Sequence, residues 1–140
     1  MGERRRADGL DVVFTSDLRR AVETAEIAFA GTALSIRSDL RLRECNYGSL
    51  NGMPRAQLDE ERQLRLETPF PDGESWRQAV ERVTGFLHEL ARSHDGQRVL
   101  VIGHIATRWG LEHFARGVSL ATLVETPFEW QEGWEYHVDT

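Results

Sequence analysis

Three groups of polar residues in this chain have the types and positions that chemistry requires. The first is Thr15-Ser16-Asp17-Leu18-Arg19-Arg20, which sits where an apolar run gives way to helical spacing. Free amides at a helix start favour an anion. Arg20 lies about one helical turn in, where its guanidinium can clamp the same anion through two N–H groups. The ordinary alternative is a capped helix with two surface arginines. The second group is Ile102-Gly103-His104. An imidazole directly after a buried strand lies at the mouth of a sheet and can act as acid, base, phosphate donor or nucleophile. The alternative is a loop histidine bonded to backbone. Arg108 follows four residues later and shares the helix face, or is simply solvated. The third group is Leu42-Arg43-Glu44-Cys45-Asn46-Tyr47-Gly48, running on to Gly52. A glutamate in a glycine-bounded loop can be steered into a cleft for acid work, although a loop glutamate is more often solvated.

Positioning these groups falls to strands and helices in alternation. Asp11–Thr15 is β-branched and aromatic and reads as a strand ending in the N-cap types Thr15, Ser16 and Asp17. Leu18, Ala21, Val22, Ala25 and Ala28 then recur at helical spacing up to Gly31. Leu34–Arg37 alternates as a second short strand. Residues 39–53 read as irregular, 54–67 as a charged helix and 68–73 as a Pro/Gly loop. Ser75 caps a long helix whose apolar stripe is Trp76, Val80, Val83, Phe86, Leu87 and Leu90. Val99–Ile102 is a continuous apolar run, the pattern of a strand buried on both faces of a parallel sheet. A helix follows His104. The Trp- and Tyr-rich tail, Phe128 to Val138, suggests a last strand. Gly2 to Gly9 reads as the end of a helix that has no strand before it. Strands alternating with helices give a layered α/β class, in which ligands collect at the carboxyl ends of strands.

Composition narrows the function. The 140 residues carry a net charge of −6, which argues against a dedicated nucleic-acid binder. Hydrophobic residues make up 40%, enough for the core of one domain spanning 1–140. A lone cysteine, Cys45, excludes both an internal disulfide and a Cys-rich zinc site. No apolar run approaches a membrane span and no secretory signal opens the chain, so the expected location is the cytoplasm. A metal site on His104 and His113 would have a nine-residue spacing and no supporting ligand pair.

Taken together, four blocks resemble the histidine phosphatase superfamily, the phosphoglycerate-mutase-like proteins. Thr-Ser-Asp-Leu-Arg-Arg-Ala-Val-Glu-Thr-Ala at 15–25 is similar to that family's Ser-Asp-Leu-x-Arg-Ala-x-x-Thr-Ala. Leu-Arg-Glu-Cys-Asn-Tyr-Gly-Ser-Leu-Asn-Gly at 42–52 resembles its Leu-x-Glu…Gly-x-x-x-Gly. Pro71-Asp72-Gly73-Glu74-Ser75 is close to its Pro-Gly-Gly-Glu-Ser, and Val99–His104 resembles the strand that delivers its second histidine. The four occur in order over roughly residues 9 to 115, which makes them far more specific together than singly.

The resemblance implies a three-layer α/β fold with a mostly parallel sheet and helices on both faces. It implies that Arg20, with Ser16 beside it, binds the transferring phosphoryl group. Glu44 would protonate the leaving oxygen, and His104 would hydrogen-bond the phosphate. Substrates would be small phosphorylated molecules or inorganic phosphate, with no metal or other cofactor, and a compact phosphatase is favoured over a glycolytic mutase. The family's nucleophilic histidine sits in an Arg-His-Gly that these 140 residues do not contain. The expectation is a domain incomplete at its N-terminus, lacking the first strand, with little catalysis of its own and a sheet edge open to self-association. The alternative is a catalytically inactive pseudoenzyme that binds a phosphate ligand or a protein. Ile105, where the family has Gly, and the register of Arg108 both depart from the pattern.

Overall fold

The structure is a computed structural model that describes residues 9–126 and 133–138. Its sheet has three parallel strands. The central one, β1 (Val12–Thr15), is buried along its whole length. It pairs with β2 (Ser35–Ser38) on one side and β3 (Val99–Ile102) on the other, giving the order β2-β1-β3. Alternation along β1 sends its side chains to opposite faces. Val13 packs with Ala25, Ala28 and Phe29 of the segment after β1, so α1 (Arg19–Ala28) covers one face. Val12 and Phe14 pack with Val83, Phe86 and Leu87. Those three belong to α3 (Trp76–Ser93), which covers the other face together with α4 (Ile105–Arg116). The result is the three-layer α/β arrangement with helices on both faces that the family resemblance implies.

The helices begin and end for local reasons. Ser75 caps α3 reciprocally: its hydroxyl accepts from Gln78 N at 3.1 Å, and the Gln78 side chain accepts from Ser75 N at 2.9 Å. This capping box contributes about 1 kcal/mol. The apolar stripe of α3 is buried as its spacing predicts, apart from half-buried Leu90, and each large fully buried side chain in it contributes about 1.5–3 kcal/mol. Helices α3 and α4 cross closely at Gly110, where a Cβ would run into the Val83 side chain. The charged helix is shorter than expected, α2 (Arg55–Leu64), and a short α5 (Leu120–Glu125) follows α4. Between β2 and α2 lie single 3₁₀ turns at Leu40–Leu42 and Gly48–Leu50. No helix among the described residues is long and apolar enough to cross a membrane.

Three expectations change. Val99–Ile102 is a strand, but all four residues are only half-buried. Among the described residues β3 has one partner strand, so it lies at the sheet edge and not in its interior. Ser16 and Asp17 do not cap α1, whose N-cap is Leu18 with no side-chain bond, because both side chains are taken by distant partners described below. In the tail, 133–138 is irregular and not a strand. It is held to α4 by side chains instead: Tyr136 donates to Glu112 Oε1 at 3.0 Å, and Arg116 donates to the Glu135 carbonyl at 3.0 Å. The rest of that expected strand, and the helix end expected at Gly2–Gly9 apart from Gly9, lie outside the described residues.

Candidate active site

Parallel pairing brings the site together. Thr15 stands opposite Ile102, and Ser16 N continues the ladder by donating to the Ile102 carbonyl at 3.2 Å. The chain segments leaving β1 and β3 therefore run side by side. Ser16 is fully buried, and its Oγ lies 3.0 Å from His104 Nε2. His104 is also the N-cap of α4, with its backbone N–H donating to Thr107 Oγ1 at 3.1 Å. Burial is the largest influence on the imidazole and holds it below its ordinary value. The nearby Glu44 carboxylate opposes this, while Arg20 and Arg82 add to it.

Glu44 reaches the same place from its loop. Its Oε1 accepts from Cys45 N and Ala106 N, each at 3.0 Å, and its Oε2 accepts from Ile105 N at 3.2 Å. The carboxylate thus sits on the first amides of α4, where unpaired N–H groups and the helix dipole favour negative charge. Ile105, at the position of the family's glycine, still supplies its backbone amide.

Glu44 and His104 line one cavity of about 830 Å³, whose walls also include Arg20, Arg43, Tyr47 and Arg82; Ser16 lies behind His104, buried. Arg20 is exposed on the first turn of α1, and among the described residues its guanidinium makes no hydrogen bond or ion pair. Its neighbour Arg43 is already engaged, donating twice to the Asp17 carboxylate at 2.6 and 2.7 Å. That pairing holds the Asp17 carboxyl below its usual range and explains why Asp17 does not cap α1.

The structure thus brings Ser16, Arg20, Glu44 and His104 together. It takes Arg108 elsewhere. Arg108 stacks 4.6 Å from the Trp134 ring centroid and faces Glu112, because one turn further along α4 these two partners lie nearer its guanidinium than the cavity does. Trp76 and Trp109 are core residues packed 4.5 Å apart; Trp134 lies on Arg108, and Trp130 is outside the described residues. The His113 ring bonds the Val118 carbonyl at 2.8 Å and does not face His104's cavity.

Two residues of this neighbourhood carry no role in the sequence reading. Glu74 belongs to a quoted block and Arg82 to the polar side of α3, yet they form a bidentate pair at 3.0 and 2.8 Å. The available signal was their spacing: a glutamate just before a helix start and an arginine two turns inside it.

Comparisons with known proteins bear on the family and the fold. The model of the histidine phosphatase superfamily (branch 1) matches residues 1–130. The probable phosphoglycerate mutase GpmB of Klebsiella pneumoniae is 34% identical over 134 residues, covering 90% of this chain and 57% of that protein. A 2,3-bisphosphoglycerate-dependent phosphoglycerate mutase of Cytophaga hutchinsonii is 33% identical over 107 residues, 67% of this chain and 50% of the relative. The chain therefore spans only about half the length of these relatives. Among solved structures, Bacillus stearothermophilus YhfR superposes with a TM-score of 0.80 at 25% identity, covering 98% of this chain and 76% of that one. A mycobacterial glucosyl-3-phosphoglycerate phosphatase in complex with inorganic phosphate superposes with a TM-score of 0.67 at 25% identity, over 88% of this chain and 66% of that one. With the family's blocks folded onto one cavity and its model matched along most of the sequence, this chain belongs to the histidine phosphatase superfamily, branch 1.

Proposed function

We propose that this chain carries the phosphate-binding and proton-donating part of a phosphomonoester-hydrolysing site. The observation that supports this reading most is the convergence of Arg20, Glu44 and His104 on one cavity at the carboxyl ends of β1 and β3, with buried Ser16 behind the His104 ring. Phosphoryl transfer spreads charge over three equatorial oxygens and needs donors around them. Arg20 supplies two charge-assisted N–H groups from α1. His104 stands on the opposite side, and its Nε2–H turns from Ser16 Oγ to a phosphate oxygen when the anion enters, as a third donor. Glu44 gives its proton to the bridging oxygen as the P–O bond breaks, so the leaving group departs as an alcohol. Its Oε2, which accepts one amide where Oε1 accepts two, is the oxygen with room for that proton.

By the family resemblance the phosphoryl acceptor is the histidine of an Arg-His-Gly, which is not among these 140 residues. Of the five histidines, all described, only His104 lines the cavity, and this reading already gives it the role of phosphate donor. On this reading the chain by itself binds phosphate and turns over little substrate. The test is hydrolysis of an aryl phosphate, with chelator present, by this chain and by one extended at its N-terminus with an Arg-His-Gly strand and helix. The extended protein is expected to be at least ~10³-fold faster, since a lost nucleophile costs orders of magnitude. Robust hydrolysis by the 140 residues alone contradicts the reading. An extended protein that binds phosphate and stays inactive replaces it with a non-catalytic phosphate-binding module.

A further inference from the structure

We propose that Arg82 is the positioning residue for Glu44; the proposal rests on the reading of Glu44 as proton donor. The segment that carries Glu44 follows a single 3₁₀ turn and joins neither sheet nor helix, so its backbone carbonyls need partners from elsewhere. Arg82, 38 to 41 residues away in sequence, provides three of them. Its Nη1 donates to the Arg41 and Arg43 carbonyls, each at 2.9 Å, and its Nη2 to the Glu44 carbonyl at 3.2 Å. Nε and Nη2 also donate to Glu74 Oε2 and Oε1 at 3.0 and 2.8 Å. These five bonds use all five N–H groups of a guanidinium. Arg82 borders the cavity but has no donor left for an oxyanion, which separates its role from that of Arg20.

Glu74 completes the clamp from the other side. Its Oε1 also accepts from Asn46 N at 3.0 Å, and its own N–H donates to the Asn46 carbonyl at 2.9 Å. Thr107 of α4 takes the Leu42 carbonyl at 3.2 Å. The two loops press backbone against backbone, since a Cβ on Gly73 would collide with the Asn46 carbonyl. Residues 41–46 are therefore held along one side by a planar ion pair, and the only long side chain they send toward α4's first amides is Glu44. A lysine at 82 keeps the charge but offers a point ammonium with three donors, which cannot span a bidentate carboxylate and three carbonyls.

The test reads the Glu44 seat directly. Backbone amide NMR signals of Ile105 and Ala106 report the carboxylate that caps them, and Glu44→Ala defines their uncapped positions. Arg82→Lys and Glu74→Gln are compared with wild type well below each melting temperature, with hydrogen exchange measured at the same two amides. Arg82→Lys is expected to move both signals toward their Glu44→Ala positions and to speed their exchange about tenfold, the scale of one lost hydrogen bond. Glu74→Gln is expected to do the same to a smaller extent, and it decides the matter alone if Arg82→Lys does not fold. A lowered melting temperature with both amides at wild-type positions would show a structural role only and overturn the proposal. Neither readout involves turnover or phosphate, so a failure of the proton-donor reading shows up separately, in the leaving-group dependence of the extended enzyme.

Discussion

Ser16 Oγ and His104 Nε2 lie 3.0 Å apart although 88 residues separate them in sequence. The contact follows from one register, Thr15 opposite Ile102, which places the first residues beyond two strands side by side. A buried hydroxyl there orients the imidazole across the cavity from Arg20.

That imidazole carries a pH dependence of definite sign. Burial first, then Arg20 and Arg82, hold His104 below its ordinary value against the pull of Glu44. The unfolded chain takes up the proton at about pH 6.5, and the folded chain only at lower pH. The contribution of His104 to stability is therefore full above about pH 6.5 and is lost as pH falls below it. Melting curves from pH 8 to 5 are expected to show His104→Gln with a flatter decline than wild type. Phosphate brings negative charge to the ring, so the NMR titration of His104 Cε1–H is expected to shift to higher pH in its presence. A titration unmoved by phosphate would place the anion elsewhere.

Glu44→Gln separates acid catalysis from binding in the extended, active protein. Without the proton, alkyl phosphates with poor leaving groups are expected to slow by about 10²–10⁴-fold, and a nitrophenyl ester far less. Equal slowing of both classes would remove Glu44 from the acid role.

At the α3–α4 crossing, Gly110→Ala has opposing effects. Helix propensity alone favours alanine by about 1 kcal/mol. The Cβ, however, would collide with Val83, and overpacking costs about 1–3 kcal/mol. Net destabilisation in urea is expected. Combining it with Val83→Ala should cost less than the sum of the two by at least ~0.5 kcal/mol. A stabilising Gly110→Ala would mean the helices separate more easily than their packing implies.

Along β3, the edge away from β1 has no partner strand among the described residues. Beside it lies a cavity of about 460 Å³ lined by Leu87, Leu90, Leu111 and Trp134. Unpaired edges next to apolar surface recruit other chains. Sedimentation over a wide concentration range is expected to show self-association. A monomer throughout would mean that this edge is protected.

Much of this was legible in the sequence because local pattern controls it. The apolar stripe of α3, its Ser75 cap and the strand ends at Ser16 and His104 are periodicity and capping effects. What was not legible depends on partners distant in sequence. Val99–Ile102 has the composition of an interior strand, and nothing in four apolar residues says how many neighbours will pair with them. Ser16 and Asp17 have N-cap chemistry, but His104 and Arg43 compete for their side chains and win. Arg82 looks like any polar residue on a helix until folding brings the Arg41, Arg43 and Glu44 carbonyls to it. The tail's aromatics suggest a strand, yet Tyr136 finds Glu112 through its hydroxyl.

The most direct measurement is a titration of this 140-residue chain with inorganic phosphate, followed by amide and His104 ring NMR signals, on wild type and on Arg20→Ala. Saturable shifts centred on Ser16, His104 and Ile105 are expected. Arg20→Ala should weaken the affinity by about tenfold or more, the scale of a charge-assisted bond lost from an exposed clamp. Shifts that cluster elsewhere, or that are identical in both proteins, would contradict a phosphate site shared by Arg20 and His104.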